Sequence, residues 1–484
     1  MSVHRRRFLS RVAAGAAGLL IVPARTAFGY RANERFQLAV LGQMYVADYF
    51  YTSIHAYPDV ALVAMCNPDQ RRLPEIFKTW TEQAKKWSGA SKPEERRAGE
   101  LYAQLLDKKP PMYADFRRML DEQKSIDGLV VSMFEHYHGP ACGTAMRLGK
   151  HVFCERPLGL TIGESRALRD LAEKQKVATS IRNPGNAYNP FRRGVELVRE
   201  GVLGLVEEVH VWFDRNAPDR QQTPRDTQPV PPGLDWDLWL GPTAARPYHP
   251  DWMAYATWRE FSNGGIGTFG PHASNLAFMA LRIHELWQPN KTEKPPTIRV
   301  QAKCSGINRM SFPKWETIQW NVPARGDLPP VTFHWYHGPG GGPGAREMLQ
   351  QKMADRGATP DEQKKFFGYA GAMLVGSKGI LVTDDHNVQF TLLPRDKFQV
   401  DTTVPKTLPP SRGHYHDWFH ACRGGPPAWA NFNYANPLSE FLMLGNLATQ
   451  FEGELEYDPA AAKIINRPEA NALLQYRYRE GWTL

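Results

Sequence analysis

Apolar runs separated by helical spacing organise the first part of the chain: Phe36–Leu41 ending in Gly42, Val60–Cys66, Gly128–Ser132, His151–Glu155 and Val177–Ile181. Continuous apolar strands alternating with helices predict a parallel sheet built from βαβ units, buried on both faces. Between the last two runs, Pro157 stops any strand, and Thr161 with Glu164 forms a capping box. The helix it starts gathers Ala167, Leu168, Leu171 and Ala172 on one face. The strand ends then carry Glu155, Arg156, Arg182 and Asn183, at the carboxyl edge where open α/β sheets bind ligands. From Asn183 onward the sequence becomes aromatic-rich and broken by Pro and Gly. Val206–Asp214 alternates as a half-exposed strand, and Ile298–Lys303 and Val331–Tyr336 read as its sheet neighbours, in a mostly antiparallel sheet with helices on one face. Arg71–Lys109 reads as a charged surface insertion of helical character, and Gly338–Phe366 as a long loop. There is no internal repeat.

The segment CERPL followed by a capped helix resembles the glutamate-lysine-proline segment of the Gfo/Idh/MocA family of oxidoreductases. The resemblance extends in order through YADFRRML, DGLVVSMFEHYHGP, LDWDLWLGP, TWREFSNGGIGTFGPH, VGSKGILV and PLSEFLMLGNLA. It implies an α/β protein with a Rossmann-like dinucleotide-binding domain over 30–157 and a C-terminal domain over 158–484 that carries an open, mostly antiparallel sheet. It also implies NAD or NADP as cofactor, a sugar, cyclitol or glycoside hydroxyl as substrate, and a homo-oligomer paired through the open sheet.

Residue by residue, the resemblance puts Gly42, Met44, Asn67, Ser132, His136 and Glu155 beside the cofactor. The glycine-rich fingerprint is degenerate: Gly42-Gln43-Met44-Tyr45-Val46-Ala47 keeps only its first glycine, with the Met44 side chain where phosphates come closest. Asn67 stands where a ribose-binding carboxylate is expected, with Asp69 two residues on. Arg156 replaces the family lysine; it keeps the charge and orients an oxygen but cannot serve as the base. Thr268 replaces the family aspartate, which leaves His272 as the titratable group of that motif and, with Arg156, a candidate catalytic residue. A helix-start histidine bonded to backbone is the alternative for His272. Asn183, Trp258 and Arg259 are the substrate-side candidates; for Asn183 a turn residue, and for the tryptophan core packing, are the bland readings. His136 and His138 bind cofactor or substrate, or cap the following helix. His416 and His420 share a helix face beside Asp417, a set that could hold a metal, but one such pair does not define a metal site and packing is the favoured reading. These departures keep a second reading open: a nicotinamide-free descendant acting as a metal- or histidine-dependent lyase or hydrolase on modified sugars, or as a non-catalytic sugar-binding protein.

Composition narrows the field. The 484 residues are 42% hydrophobic, which suits a globular two-domain chain. The formal charge is +9, but Arg5, Arg6, Arg7, Arg11 and Arg25 sit in a leader without acidic residues, and removing them leaves +4. That, and the lack of a basic aromatic-interleaved patch, argues against nucleic acid as partner. The leader, over 1–29, resembles a twin-arginine signal with cleavage between Ala24 and Gly29, and its apolar stretch is short for a spanning helix. It implies export to the periplasm or beyond, no stable membrane insertion afterwards, and a nicotinamide carried tightly and recycled in place. Five cysteines make an odd count, read as small buried hydrophobes rather than disulfides.

Overall fold

The computed structural model describes residues 35–42, 44–288, 295–398 and 404–484; the leader expected over 1–29 lies outside them. β1 (Phe36–Gly42), α1 (Tyr45–Ser53), β2 (Val60–Cys66), α2 (Leu73–Ser88), α3 (Pro93–Lys108), β3 (Met112–Tyr113), β4 (Gly128–Ser132), α4 (Glu135–Arg147), β5 (His151–Cys154), α5 (Ile162–Gln175) and β6 (Thr179–Ile181) build a six-stranded sheet in the order β3-β2-β1-β4-β5-β6. Every ladder in it is parallel. The order reverses between β1 and β4, and that switch point opens a crevice at the strands' carboxyl ends. The sixth strand lies beyond Pro157, the domain boundary expected from sequence. The charged insertion is the pair α2 and α3, anchored by Trp80, whose indole N–H donates to the Tyr51 carbonyl at 2.8 Å.

After α6 (Asn189–Arg199) the chain forms β7 (Val206–Phe213), α7 (Gly264–Ala273), β8 (Ile298–Cys304), β9 (Glu316–Val322), β10 (Val331–His337), α8 (Ala345–Ala354), α9 (Pro360–Phe366), β11 (Ala370–Gly376), β12 (Ile380–Thr383), β13 (Phe390–Leu393), α10 (His414–Cys422), α11 (Phe432–Ala448), β14 (Leu455–Asp458) and β15 (Lys463–Ile464). The nine-stranded sheet runs β13-β12-β11-β7-β10-β9-β8-β14-β15. It is antiparallel except where β10 pairs with β7. Period-two alternation sends Val209, Val211, Ile318, Trp320, Phe333 and Trp335 to the main core. There α11 packs so closely that a Cβ on Gly445 would lie 2.0 Å from the Trp320 ring.

The other face carries Trp212, Met373, Ile380 and Val382, and the segment expected as a loop covers it with α8 and α9 through Ala345, Leu349, Met353 and Phe366. A capping box between Thr359 and Glu362 starts α9, a signal hidden in sequence by the polar residues around it. Among the described residues no helix is long and apolar enough to cross a membrane. All five cysteines are free, and Cys66, Cys142, Cys154 and Cys422 are buried.

Candidate active site

The carboxyl ends of β1, β4, β5 and β6 face α7, and charged groups stitch the two together. Arg156 reaches in both directions: its Nη1 donates to Glu155 Oε2 at 2.5 Å and its Nε to the Thr268 carbonyl in α7 at 3.3 Å. The other carboxylate oxygen of Glu155 accepts from the Val46 amide at 3.3 Å, while the Ala47 amide donates to Ser132 Oγ at 3.1 Å. The first turn of α1 is thus capped from β4 and β5, a favourable place for an anion.

Gly42, at φ +101°, keeps β1 against β4: a Cβ there would stand 2.1 Å from the Ser132 carbonyl oxygen. The Met44 amide donates to that same carbonyl at 3.2 Å. Asn67 directly follows β2 and accepts from the Asp69 amide at 2.9 Å, and with Gly42, Tyr51, Cys66 and Gln70 it lines a narrow cleft. Glycine at the end of β1, helix-start amides at α1 and a polar residue following β2 fit a dinucleotide. Glu155 is then its competitor for the Val46 amide. Glu155→Gln keeps an acceptor but removes the charge, and the dissociation constant for NAD, read by calorimetry, is expected to fall about tenfold.

His272, in the last turn of α7, is the least satisfied group in the crevice. It is 1% exposed, and neither ring nitrogen has a hydrogen-bond partner. Burial, followed by the charge of Arg156 and its neighbours His386, Arg182 and His414, drives its pKa well below the ordinary histidine range. The alternative of a backbone-bonded histidine therefore does not hold. Asn183 donates from Nδ2 to the Pro271 carbonyl at 2.8 Å, which leaves its buried Oδ1 unpaired beside the helix end. Asn186 Nδ2, Ser274 Oγ and His414 Nε2 are also buried and unpaired. Buried polar atoms are normally paired, so such a group of donors and acceptors marks a place for a polar guest.

The structure separates other sequence candidates from this group. His138 has both ring nitrogens on carbonyls, those of Pro157 at 2.9 Å and Met133 at 3.1 Å. His136 lies in an aromatic nest of Phe134, Trp239 and Phe261 with Nε2 on the Trp239 carbonyl at 3.2 Å, and burial lowers its pKa to about 3. Trp258 is buried against Trp252 and donates to the Asp251 carbonyl at 2.9 Å. Arg259 spends its guanidinium on the Asn308 and Ser311 carbonyls, Asn446 Oδ1 and Thr449 Oγ1. His416 packs on Tyr57, and no group of three metal-binding side chains converges among the described residues.

Sequence reading passed over Glu135, the first residue of α4 and only 4% exposed. Its Oε2 accepts from the Asn263 amide at 2.6 Å and from Asn263 Nδ2 at 3.0 Å, tying the β4 end to the start of α7. A glutamate in a first helical turn reads as a dipole partner; only the fold reveals that it is enclosed. Burial raises its pKa to about 7 against the opposing pull of Asn263 and Arg156. The folded chain therefore binds the proton more tightly than the unfolded one, and this contribution to stability is full below pH 4.5 and lost as pH rises to about 7. Urea unfolding at pH 5 and pH 8 is expected to show Glu135→Gln gaining on the wild type by on the order of 3 kcal/mol at the higher pH.

A parallel dinucleotide-type sheet, joined through Glu155 and Arg156 to a second α/β domain that presents a buried histidine to the switch point, defines a two-domain oxidoreductase architecture. Residues 36–182 match the profile described as oxidoreductase family, NAD-binding Rossmann fold, and residues 196–285 that of the family's C-terminal alpha/beta domain. The chain belongs to the Gfo/Idh/MocA family of oxidoreductases. It is similar to an uncharacterized oxidoreductase of Schizosaccharomyces pombe, 26% identical over 174 residues that span 35% of this chain and 44% of the relative. It also resembles a glycosyl hydrolase family 109 protein of Saccharopolyspora erythraea, 25% identical over 220 residues, 42% of this chain and 44% of that one. The chain thus spans less than half the length of these curated relatives. Among solved structures, an aldose-aldose oxidoreductase from Caulobacter crescentus complexed with glycerol superposes with a TM-score of 0.51 at 13% identity, over 87% of this chain and 100% of the other. At that identity the likeness speaks for the fold.

Proposed function

We propose that this protein is an exported oxidoreductase that acts on a hydroxyl of a sugar, cyclitol or glycoside with a tightly held NAD or NADP. The observation that carries the reading is His272: a fully buried imidazole with both nitrogens unpaired, at the end of α7 beside Asn183, in a chain of an NAD-fold oxidoreductase family. Gly42, the Val46 and Ala47 amides, Asn67 and Ser132 would hold the dinucleotide, which when bound supplies the hydride acceptor. Burial keeps His272 neutral, so one of its nitrogens accepts the proton of the substrate hydroxyl. Asn183 Oδ1 and Asn186 Nδ2 bind neighbouring hydroxyls. Arg156, fixed between Glu155 and Thr268, orients the reacting oxygen and steadies its charge as the proton leaves.

The resemblance of the leader to a twin-arginine signal supports export, and export supports a closed cycle in which the cofactor is regenerated in place. The likeness to an aldose-aldose oxidoreductase and to a glycosyl hydrolase family 109 protein supports a pair of sugars, or a transient oxidation that assists glycoside cleavage. Native mass spectrometry of the protein purified from cells that export it tests this: a retained mass that dissociates as NAD or NADP is the expected result. A chain that retains none overturns it and favours the nicotinamide-free reading, to which the Glu155 cap on α1 lends support.

A further inference from the structure

The turn between β12 and β13 brings a second histidine to His272. Asn387 fastens it to the end of α7: its Nδ2 donates to the Ala273 carbonyl at 3.1 Å and its Oδ1 accepts from the Leu276 amide at 3.0 Å. Asp384 holds the turn from within by accepting the Val388 and Gln389 amides. On this anchored turn the His386 ring lies 4.6 Å from the His272 ring, tilted by 34°. Its Nδ1 is 3.0 Å from Asp385 Oδ1, and Tyr369 Oη donates to Asp385 Oδ2 at 2.5 Å. Phe269 presents an edge-on contact to all three rings, those of His272, Tyr369 and His386.

Exposure rises along this line, from 1% at His272 to 28% for the His386 and Asp385 side chains and 38% at Tyr369. His272 otherwise sits among groups that oppose a proton, Arg156, Arg182 and His414. The Asp385 carboxylate backs the ring that leads outward, which makes that side favourable for positive charge.

We propose that His386, backed by Asp385 and Tyr369, is the proton exit of the site, the group through which His272 exchanges its ring proton with solvent. The catalytic use of this exit rests on the function proposed above; the exit itself does not. In turnover the substrate O–H bond breaks and an N–H bond forms on His272. That N–H bond then breaks as His386 takes the proton at Nε2, while its Nδ1–H stays with Asp385, and the proton leaves to water. No electron moves in these steps. The two rings face one another, so the transfer requires His386 to turn about its Cβ–Cγ bond or one water to bridge the nitrogens.

The test needs neither substrate nor cofactor. The full chain is labelled with ¹⁵N-histidine, the His272 ring signal is assigned with His272→Asn, and its N–H exchange with water is measured in wild type, His386→Gln and Asp385→Asn. Exchange is expected to slow by about a hundredfold in His386→Gln, the low end of what one positioned acid or base contributes, and by a smaller factor in Asp385→Asn, with the amide spectrum retained. An unchanged rate in His386→Gln overturns the proposal, as does a wild-type proton that fails to exchange over hours. If His386→Gln does not fold, an unchanged rate in Asp385→Asn, a part-exposed site, has the same force. A chain without nicotinamide would overturn the oxidoreductase reading and leave this result standing.

Discussion

His272→Ala is expected to lower turnover by about two to four orders of magnitude, the range for loss of a positioned general base, while the protein stays folded. The stability half of that expectation follows from the same observation as the activity half. Neither nitrogen of His272 bonds to the protein, so its removal orphans no partner and costs only ring contacts with Phe269 and His386. Rates on the first sugar that turns over, with melting curves alongside, separate the two. The acid limb of the wild-type rate profile is expected below pH 6.5, because burial and the nearby cations keep the imidazole neutral past the point where an exposed histidine gains its proton. A variant with full turnover would remove His272 from the mechanism.

Arg259→Ala is expected to act in the opposite way, through stability. The side chain is buried, and its pKa is lowered to about 10 by that burial. It holds four acceptors, and one of them, Asn446, passes the connection on to Asn263 and so to Glu135. Each buried acceptor left without a donor costs about 1–3 kcal/mol; with partial relaxation the total is expected near 4 kcal/mol, at the upper end for a single substitution. Urea denaturation measures it. If the midpoint holds and sugar binding weakens instead, Arg259 belongs to the substrate wall that its sequence position suggested.

The contrast between these two residues shows what was legible in the chain. The parallel strands were readable because strands buried on both faces are continuous apolar runs, and the capping box after Leu160 was readable because its residues sit at fixed spacing. Asn183, Arg156 and Glu155 were readable as a group because a parallel sheet gathers its strand ends in one crevice, whereas His272, on α7, was legible only through the resemblance of its motif to the family's. What adjacency in sequence could not convey was direction. Trp258 and Arg259 lie within fifteen residues of His272, yet their side chains turn into packing. Glu135 stands one residue before a conspicuous histidine and is the member of the pair that binds α7. His386 comes from a hairpin more than a hundred residues away, and only strand pairing brings it to α7. β9 alternates as cleanly as its neighbours but was missed; it stands between β10 and β8, so β10 lies beside β7 as expected and β8 does not.

The unpaired cysteines carry a last consequence. Burial raises the thiols of Cys66, Cys154 and Cys422 far above their ordinary pKa, so the reactive thiolate is scarcely populated. None of the five cysteines is bridged, so packing and buried ion pairs hold the fold without a covalent crosslink.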